Sequence, residues 1–196
     1  MKNRIINLSA VLFLAVIGTG CTSAPSHYYT LNSTATGDGA ANTSYAILVG
    51  PVSIPAEADR PQFTVQVAPN RVAVDEFNRW AAPLSDNIAR VVAGNLAVLL
   101  GTPRVATIPG ANFNSAYQVT ISVQRFESVP GKSVLVDAVW VVRPPSVGAA
   151  QSGRTVASEP VSGDSFDALA AAHNRALAKV SSDIAAAIRT AADAKP

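Results

Sequence analysis

The fold class predicted is α+β: a mainly antiparallel sheet with two long amphipathic helices packed on one face, a two-layer sandwich. Three observations predict it. Apolar and polar residues alternate at 63–67, 72–74 and 117–126, the period of half-buried strands. Two stretches change to a helical period, one from Leu84 and one from about Ser165. The resulting order of strands, helix, strands, helix lets both helices, each with a single apolar stripe, lie on the same side of one sheet. No internal repeat breaks the pattern, and residues 21–196 read as one domain.

Each element follows from its own residues. "HYYTL", residues 27–31, is a short aromatic and β-branched strand, and "NSTATGDGAANTS", residues 32–44, reads as an exposed loop. "YAILVGPVSIP" is a strand in which Pro51 is permitted only at an edge, a bulge or a strand end. Phe63, Val65 and Val67 form a half-buried strand, "APNR" a turn, and Val72 and Val74 restart the same alternation, so a hairpin is expected. Pro83 suits the entry to a helix whose stripe is Leu84, Ile88, Val91, Val92, Leu96 and Leu99, with Asp86, Asn87 and Arg90 facing elsewhere. Gly101 and Pro103 end it.

A brief strand, "PRVATI", comes next. The following strand alternates Tyr117, Val119, Ile121 and Val123, then resumes at Phe126 after a change of phase. A "PGK" turn at 130–132 joins it to "SVLVDAVWVVR", giving a second hairpin. After the loop "PPSVGAAQSG", the strand "RTVASEPVS" leads to the last helix. Asp164 is its expected N-cap, with Asp167 three residues on in the manner of a capping box. Phe166, Leu169, His173, Leu177, Val180, Ile184 and Ile188 make its apolar face.

The first twenty residues, "MKNRIINLSAVLFLAVIGTG", put Lys2 and Arg4 before an apolar run from Ile5 to Ile17, interrupted by Asn7 and Ser9, and then small residues. This is a secretory signal layout, with an apolar centre too short to span a bilayer comfortably. No later stretch approaches ~18 unbroken apolar residues, so no second span is expected. The formal charge of +2 belongs to the leader: without Lys2 and Arg4, 13 basic residues face 13 acidic ones. That balance removes the general electrostatic case for binding nucleic acid.

Cys21 is the one cysteine in the chain, so no internal disulfide can form. Its Gly, Thr and Ser neighbours cannot build a core around it, and neither His27 nor His173 has a recognisable pairing with it as a base. Lipidation fits the position, because a thioether-linked diacylglycerol plus an acylated amine supplies the several chains that stable anchoring needs. The junction resembles a bacterial lipoprotein signal: Thr19 and Gly20 conform, while Gly18 stands where Leu is typical. Ordinary cleavage near Ala24, leaving an unanchored domain, is the alternative. Thr22 in place of Asp resembles lipoproteins sorted to the outer membrane of a Gram-negative envelope, with residues 21–26 as a short tether.

Other local patterns fail as reaction centres. "GKS" at 131–133 copies the end of a phosphate-binding loop, but Phe126 occupies the place of the required glycine. "GDS" at 163–165 resembles an esterase nucleophile block, yet lacks its Asp-x-x-His partner; Asp167 and His173 are six apart, and a helix cap accounts for the pair. His173 falls on an apolar stripe with no His, Cys or carboxylate at metal-site spacing, and reads as a hydrogen-bonded core histidine. Neither catalytic residues nor a metal or other cofactor is expected.

"RPQFTVQVAPNRVAVDEFNRWAAPLSDNIARVVAGNLAVLLG", residues 60–101, resembles the core signature of the ABC-type transport auxiliary lipoproteins, the paraquat-inducible protein C or YmbA-like group. The matching pieces are "RPQ", Asn70 in the hairpin turn, "RWAAPL" at 79–84 and "NLAVLLG"; "HYYTL" and the closing Ala-rich helix agree. The resemblance implies a non-catalytic outer-membrane lipoprotein that works beside periplasmic MCE-domain proteins, which form conduits for lipids, and beside inner-membrane transport components. A homo-oligomeric ring matching an MCE assembly is also implied. Arg60, Arg79, Trp80, Pro83 and Leu84 are the candidate partner-binding residues. Trp80 has two readings, an aromatic that closes a sheet edge or an exposed anchor at a contact. Arg60 and Arg79 could pair internally or with a partner's carboxylates. A runner-up function is a lipoprotein that binds lipid, or assists outer-membrane protein assembly, through an apolar groove between helices and sheet.

Overall fold

A computed structural model describes residues 24–37, 39–110, 113–144 and 149–193. The elements are β1 (His27–Tyr29), β2 (Ile47–Ser53), β3 (Gln62–Ala68), β4 (Arg71–Trp80), α1 (Leu84–Leu99), β5 (Val105–Ala106), β6 (Tyr117–Val129), β7 (Ser133–Arg143), β8 (Gln151–Pro160) and α2 (Phe166–Asp193). Both helices pack on the sheet and against each other, so the α+β class holds. The strands form two sheets and not one. A five-stranded sheet runs β5-β2-β6-β7-β8, and β1-β4-β3 is a separate three-stranded sheet.

The long alternating strands behave as their pattern dictates. β6, β7 and β8 form an antiparallel meander that puts Val119, Ile121, Val134, Val136, Ala138 and Val142 into the core. The phase change in β6 is a bulge between Val123 and Arg125, after which Phe126 and Ser128 take over the inward positions. Gly131, at φ +67°, supplies the left-handed residue of the turn between β6 and β7. β2 joins in parallel to both β5 and β6, because the hairpin and α1 lie between it and its neighbours in the chain. Pro51 falls in the register break between Val49 and Val52, so its missing N–H costs no ladder bond.

In the β3–β4 hairpin the turn shifts the register. Ala68 opposes Arg71, but Gln66 opposes Val72 and Thr64 opposes Val74. Because side chains alternate with period two, this one-residue slip moves Val72 and Val74 off the Phe63–Val65 face onto the opposite one. They are exposed, contrary to the unbroken alternation expected from the sequence.

The helices bury wider faces than their stripes suggest. On α2 every expected stripe residue from Leu169 to Ile188 is buried, joined by Ala172, Ala176, Ser181 and Ala185, with Phe166 half-buried. Its N-cap is Ser165, one residue later than expected: the Ser165 hydroxyl accepts from Ala168 N–H at 3.1 Å, which leaves Asp167 in the first turn. On α1 Asn87 is buried and not outward. Its amide donates to Ala82 O at 3.1 Å, and its oxygen accepts from Arg90 at 2.7 Å. Gly101, at φ +59°, terminates α1, and Arg189 of α2 donates to Leu99 O at 2.5 Å, a cation on the negative end of the helix.

The segment after β1, expected to be a loop, is tied down across the helix pair. Asn174 Oδ1 accepts from Asn32 N–H at 2.9 Å, and Asn95 Oδ1 accepts from the N–H groups of both Thr34 and Ala35 at 3.0 Å. The other side of the Asn95 amide donates to Ser181 on α2 at 3.1 Å. Gly94 lies beneath this strap, where a Cβ would displace the Ser33 hydroxyl that donates to Val91 O. Replacing Asn95 by Ala leaves Ser181 and two strap amides without their partner. A loss of about 2 kcal/mol in urea unfolding is expected, together with faster proteolysis between residues 32 and 44.

Candidate contact surface

The structure gathers most of the candidate partner-binding residues where β4 turns into α1. Arg60, Trp80, Pro83 and Leu84 line one surface cavity of about 380 Å³ with Asp59, Pro61, Ala81 and Ala82. Pro83 is the exposed N-cap residue, its fixed φ of −48° suited to helix entry, and the first turn has no side-chain cap. Arg60 is exposed beside it. Arg79 lies apart from this cavity, its Nε donating to Glu76 O at 3.0 Å within its own strand. Leu84 is buried and belongs to the core more than to the surface.

Trp80 is 5% exposed, which excludes the exposed-anchor reading and leaves the aromatic that closes the sheet. Its ring stacks on Phe63 with centroids 4.0 Å apart and meets Phe126 edge-on at 6.2 Å. Phe63 also meets Tyr29 at 5.3 Å and Phe166 at 5.1 Å. The cluster therefore draws on β1, β3, β4, β6 and α2, and it is the junction between the two sheets.

His173 forms the floor of this junction. It is fully buried, its ring parallel to Phe126 at 3.9 Å, and its Nε2 lies 2.8 Å from Ser128 Oγ. Burial pushes its pKa down to about 3, so the imidazole is neutral in the folded protein. Among the described residues Nδ1 has no hydrogen-bond partner. A serine beside an imidazole could in principle act as a nucleophile, but Ser128 is buried and no carboxylate orients the ring from Nδ1. The expected core histidine is present; its partner, 45 residues away in the chain, carries no local sequence signal.

The remaining buried charges are structural. Lys179 and Arg175 hold the Glu159 carboxyl below its usual range, at 2.5 and 3.1 Å. Arg154 does the same for Asp137 through two hydrogen bonds of 2.8 and 2.6 Å on the outer sheet face. Ser165, the "GDS" serine, is occupied as a helix cap. Among the described residues no group of three or more His, Cys, Asp or Glu could hold a metal ion. No helix among them is long and apolar enough to cross a membrane. Cys21 and the leader lie outside the described residues. Where the apolar groove was expected between helices and sheet, Ile88, Val92 and Leu96 of α1 and Leu177 and Ile184 of α2 are packed at 0–1% exposure, while a cavity of about 530 Å³ opens between α1 and β2, lined by Val49, Pro51, Val52, Ala89 and Ile108.

These features define a domain that presents surface cavities around a packed aromatic junction. The chain belongs to the family of ABC-type transport auxiliary lipoprotein components, whose model matches residues 29–185. Two crystal structures share the fold. One, of an uncharacterised protein, has TM-score 0.69 and 19% identity, covering 84% of this chain and 99% of that chain. The other, a DUF330 protein from Xanthomonas campestris, has TM-score 0.69 and 22% identity over 85% and 99%. A PelC dodecamer from Paraburkholderia phytofirmans matches more loosely, with TM-score 0.41 and 15% identity over 79% and 91%. No curated protein matches the sequence.

The buried imidazole sets a pH dependence. Its folded pKa of about 3 lies below the ordinary 6.5, so between these values the unfolded chain binds the extra proton and stability falls as the pH falls. The loss is at most about 1.4 kcal/mol per pH unit. Urea midpoints at pH 7.5, 6.5 and 5.5 are expected to fall in the wild type and to flatten in His173→Gln. The depressed carboxyls of Asp137 and Glu159 act below this window.

Proposed function

We propose that this protein is an outer-membrane-anchored periplasmic lipoprotein and a non-catalytic auxiliary subunit of an MCE-type intermembrane lipid transport system. The signal peptide, residues 1–20, is removed, Cys21 carries the lipid, and residues 27–193 form a domain that docks on an MCE-domain partner. The observation that carries this reading is the family match over residues 29–185, which spans the fold from β1 into α2. The leader supports it from the opposite end of the chain: a basic and apolar segment ends at a single cysteine six residues before β1.

Within the domain, the cavity beside the α1 entry is the proposed docking point. Arg60 and Pro83 offer a charge and a rigid apolar edge at its rim, while Trp80 and Leu84 form its wall from the core side. Arg79 belongs to the outer face of the small sheet. Assembly into a ring in register with the partner is part of the proposal.

Two measurements test it. Intact mass of the membrane-extracted protein is expected to show an N-terminus at Cys21 with acyl mass, absent in Cys21→Ala; an unmodified chain cut near Ala24 overturns the anchor. Co-purification of an MCE-domain protein is expected from wild type and to fall at least ten-fold for Arg60→Glu, a charge reversal costing more than about 1.4 kcal/mol of binding. Because Arg60 is exposed, urea stability of the variant is expected to match wild type.

A further inference from the structure

The register slip in the β3–β4 hairpin has left apolar side chains on the outer face of the three-stranded sheet. Val72 is 57% exposed, Val74 37% and Phe77 45%, and Tyr28 on the adjoining β1 is 65% exposed. Tyr28 pairs with Arg79, and Gln62 pairs with it from the other side, so these residues share the face opposite the half-buried Tyr29 and the buried Phe63 and Trp80. The Asp75 carboxylate fixes the backbone here, accepting from Phe77 N–H at 2.9 Å and from Asn78 N–H at 2.8 Å. The strip therefore carries an aromatic pair at one end and two valines at the other, where Val72 also lines a cavity of about 200 Å³ with Thr64, Gln66 and residues 125–128 of β6.

What covers it follows from where the chain leads. Six residues, Cys21 to Ser26, separate the proposed lipid attachment from β1. Fully extended they span at most about 20 Å, so an anchored Cys21 keeps Tyr28 within reach of the headgroup layer and at high effective concentration toward it. Tyrosine and arginine suit that layer, the ring lying at the apolar boundary and the guanidinium reaching back to phosphate. Strand β4 carries Arg71 and Arg79 against Asp75 and Glu76, a balanced charge that calls for a zwitterionic surface and little salt dependence.

We propose that the outer face of the three-stranded sheet, with Tyr28, Phe77, Val72, Val74 and Arg79, seats on the phospholipid surface of the leaflet that holds the acylated N-terminus. The domain is thus oriented on the membrane, with the α1 entry left for its protein partner. This inference rests on the reading of Cys21 as the lipid anchor.

The single cysteine makes the test clean, since acylation of Cys21 leaves an introduced thiol as the one labelling site. Full-length, membrane-extracted Tyr28→Cys and Phe77→Cys are labelled with an environment-sensitive fluorophore and reconstituted in phosphatidylethanolamine and phosphatidylcholine vesicles that carry a headgroup spin label. Val98→Cys on α1 and Val156→Cys on β8, both exposed, serve as controls. Expected is a blue shift and loss of most emission at positions 28 and 77, unchanged by added salt, with the controls unquenched. Equal emission at all four positions overturns the seating, and so does quenching confined to the controls. Failure of the anchor itself reads differently: the protein then does not float with the vesicles, and Cys21 takes up label.

Discussion

The structure depends on the aromatic junction between its two sheets. The three-stranded sheet, whose β1 contributes only three residues, reaches the main body through Phe63 and Trp80 stacked at 4.0 Å, with Phe126 and His173 beneath them. Aromatic pairs of this kind contribute about 0.5–1.5 kcal/mol each beyond their buried area. Tyr29 and Phe166 close the sides, so β1 and the start of α2 are fastened by the same rings. A neutral imidazole completes the floor where a charged one could not, because burial without a counter-charge is prohibitive. This is why the two sheets, separate in hydrogen bonding, share a single core.

A second constraint runs through the helix layer. Asn95, Asn174 and Ser181 are polar side chains buried where α1 meets α2, and they are satisfied by one another and by the strap of residues 32–35. Buried amides need such partners, so the strap is as much part of the interior as the helices. It lies just after β1.

The placement of the candidate residues sorts them by surface. "RWAAPL" is at once a junction and a rim: Trp80 and Leu84 pack inward, while Pro83 stays outside with Arg60. Arg79, one residue before Trp80, faces the other side of the strand, with Tyr28. A contiguous motif therefore serves the core and two different surfaces, because alternate residues of a strand leave it on opposite sides.

The α+β class, both hairpins, both helices with their main stripes, the bulge near Phe126 and a hydrogen-bonded core His173 were legible in the sequence, since period and turn chemistry are local properties. So was the family, from residues 60–101. What the sequence did not reveal was a matter of which groups meet in space. Val72 and Val74 changed faces through a register slip that only strand pairing creates. Asn87 read as polar and outward until Ala82 supplied its hydrogen bond, and Asn95 and Ser128 acquired meaning only beside the strap and His173. The separation into two sheets belongs to the same class, for alternation tells a strand which face is buried but not which neighbour it will have. That choice was made by the aromatic junction, where residues from five elements meet in space.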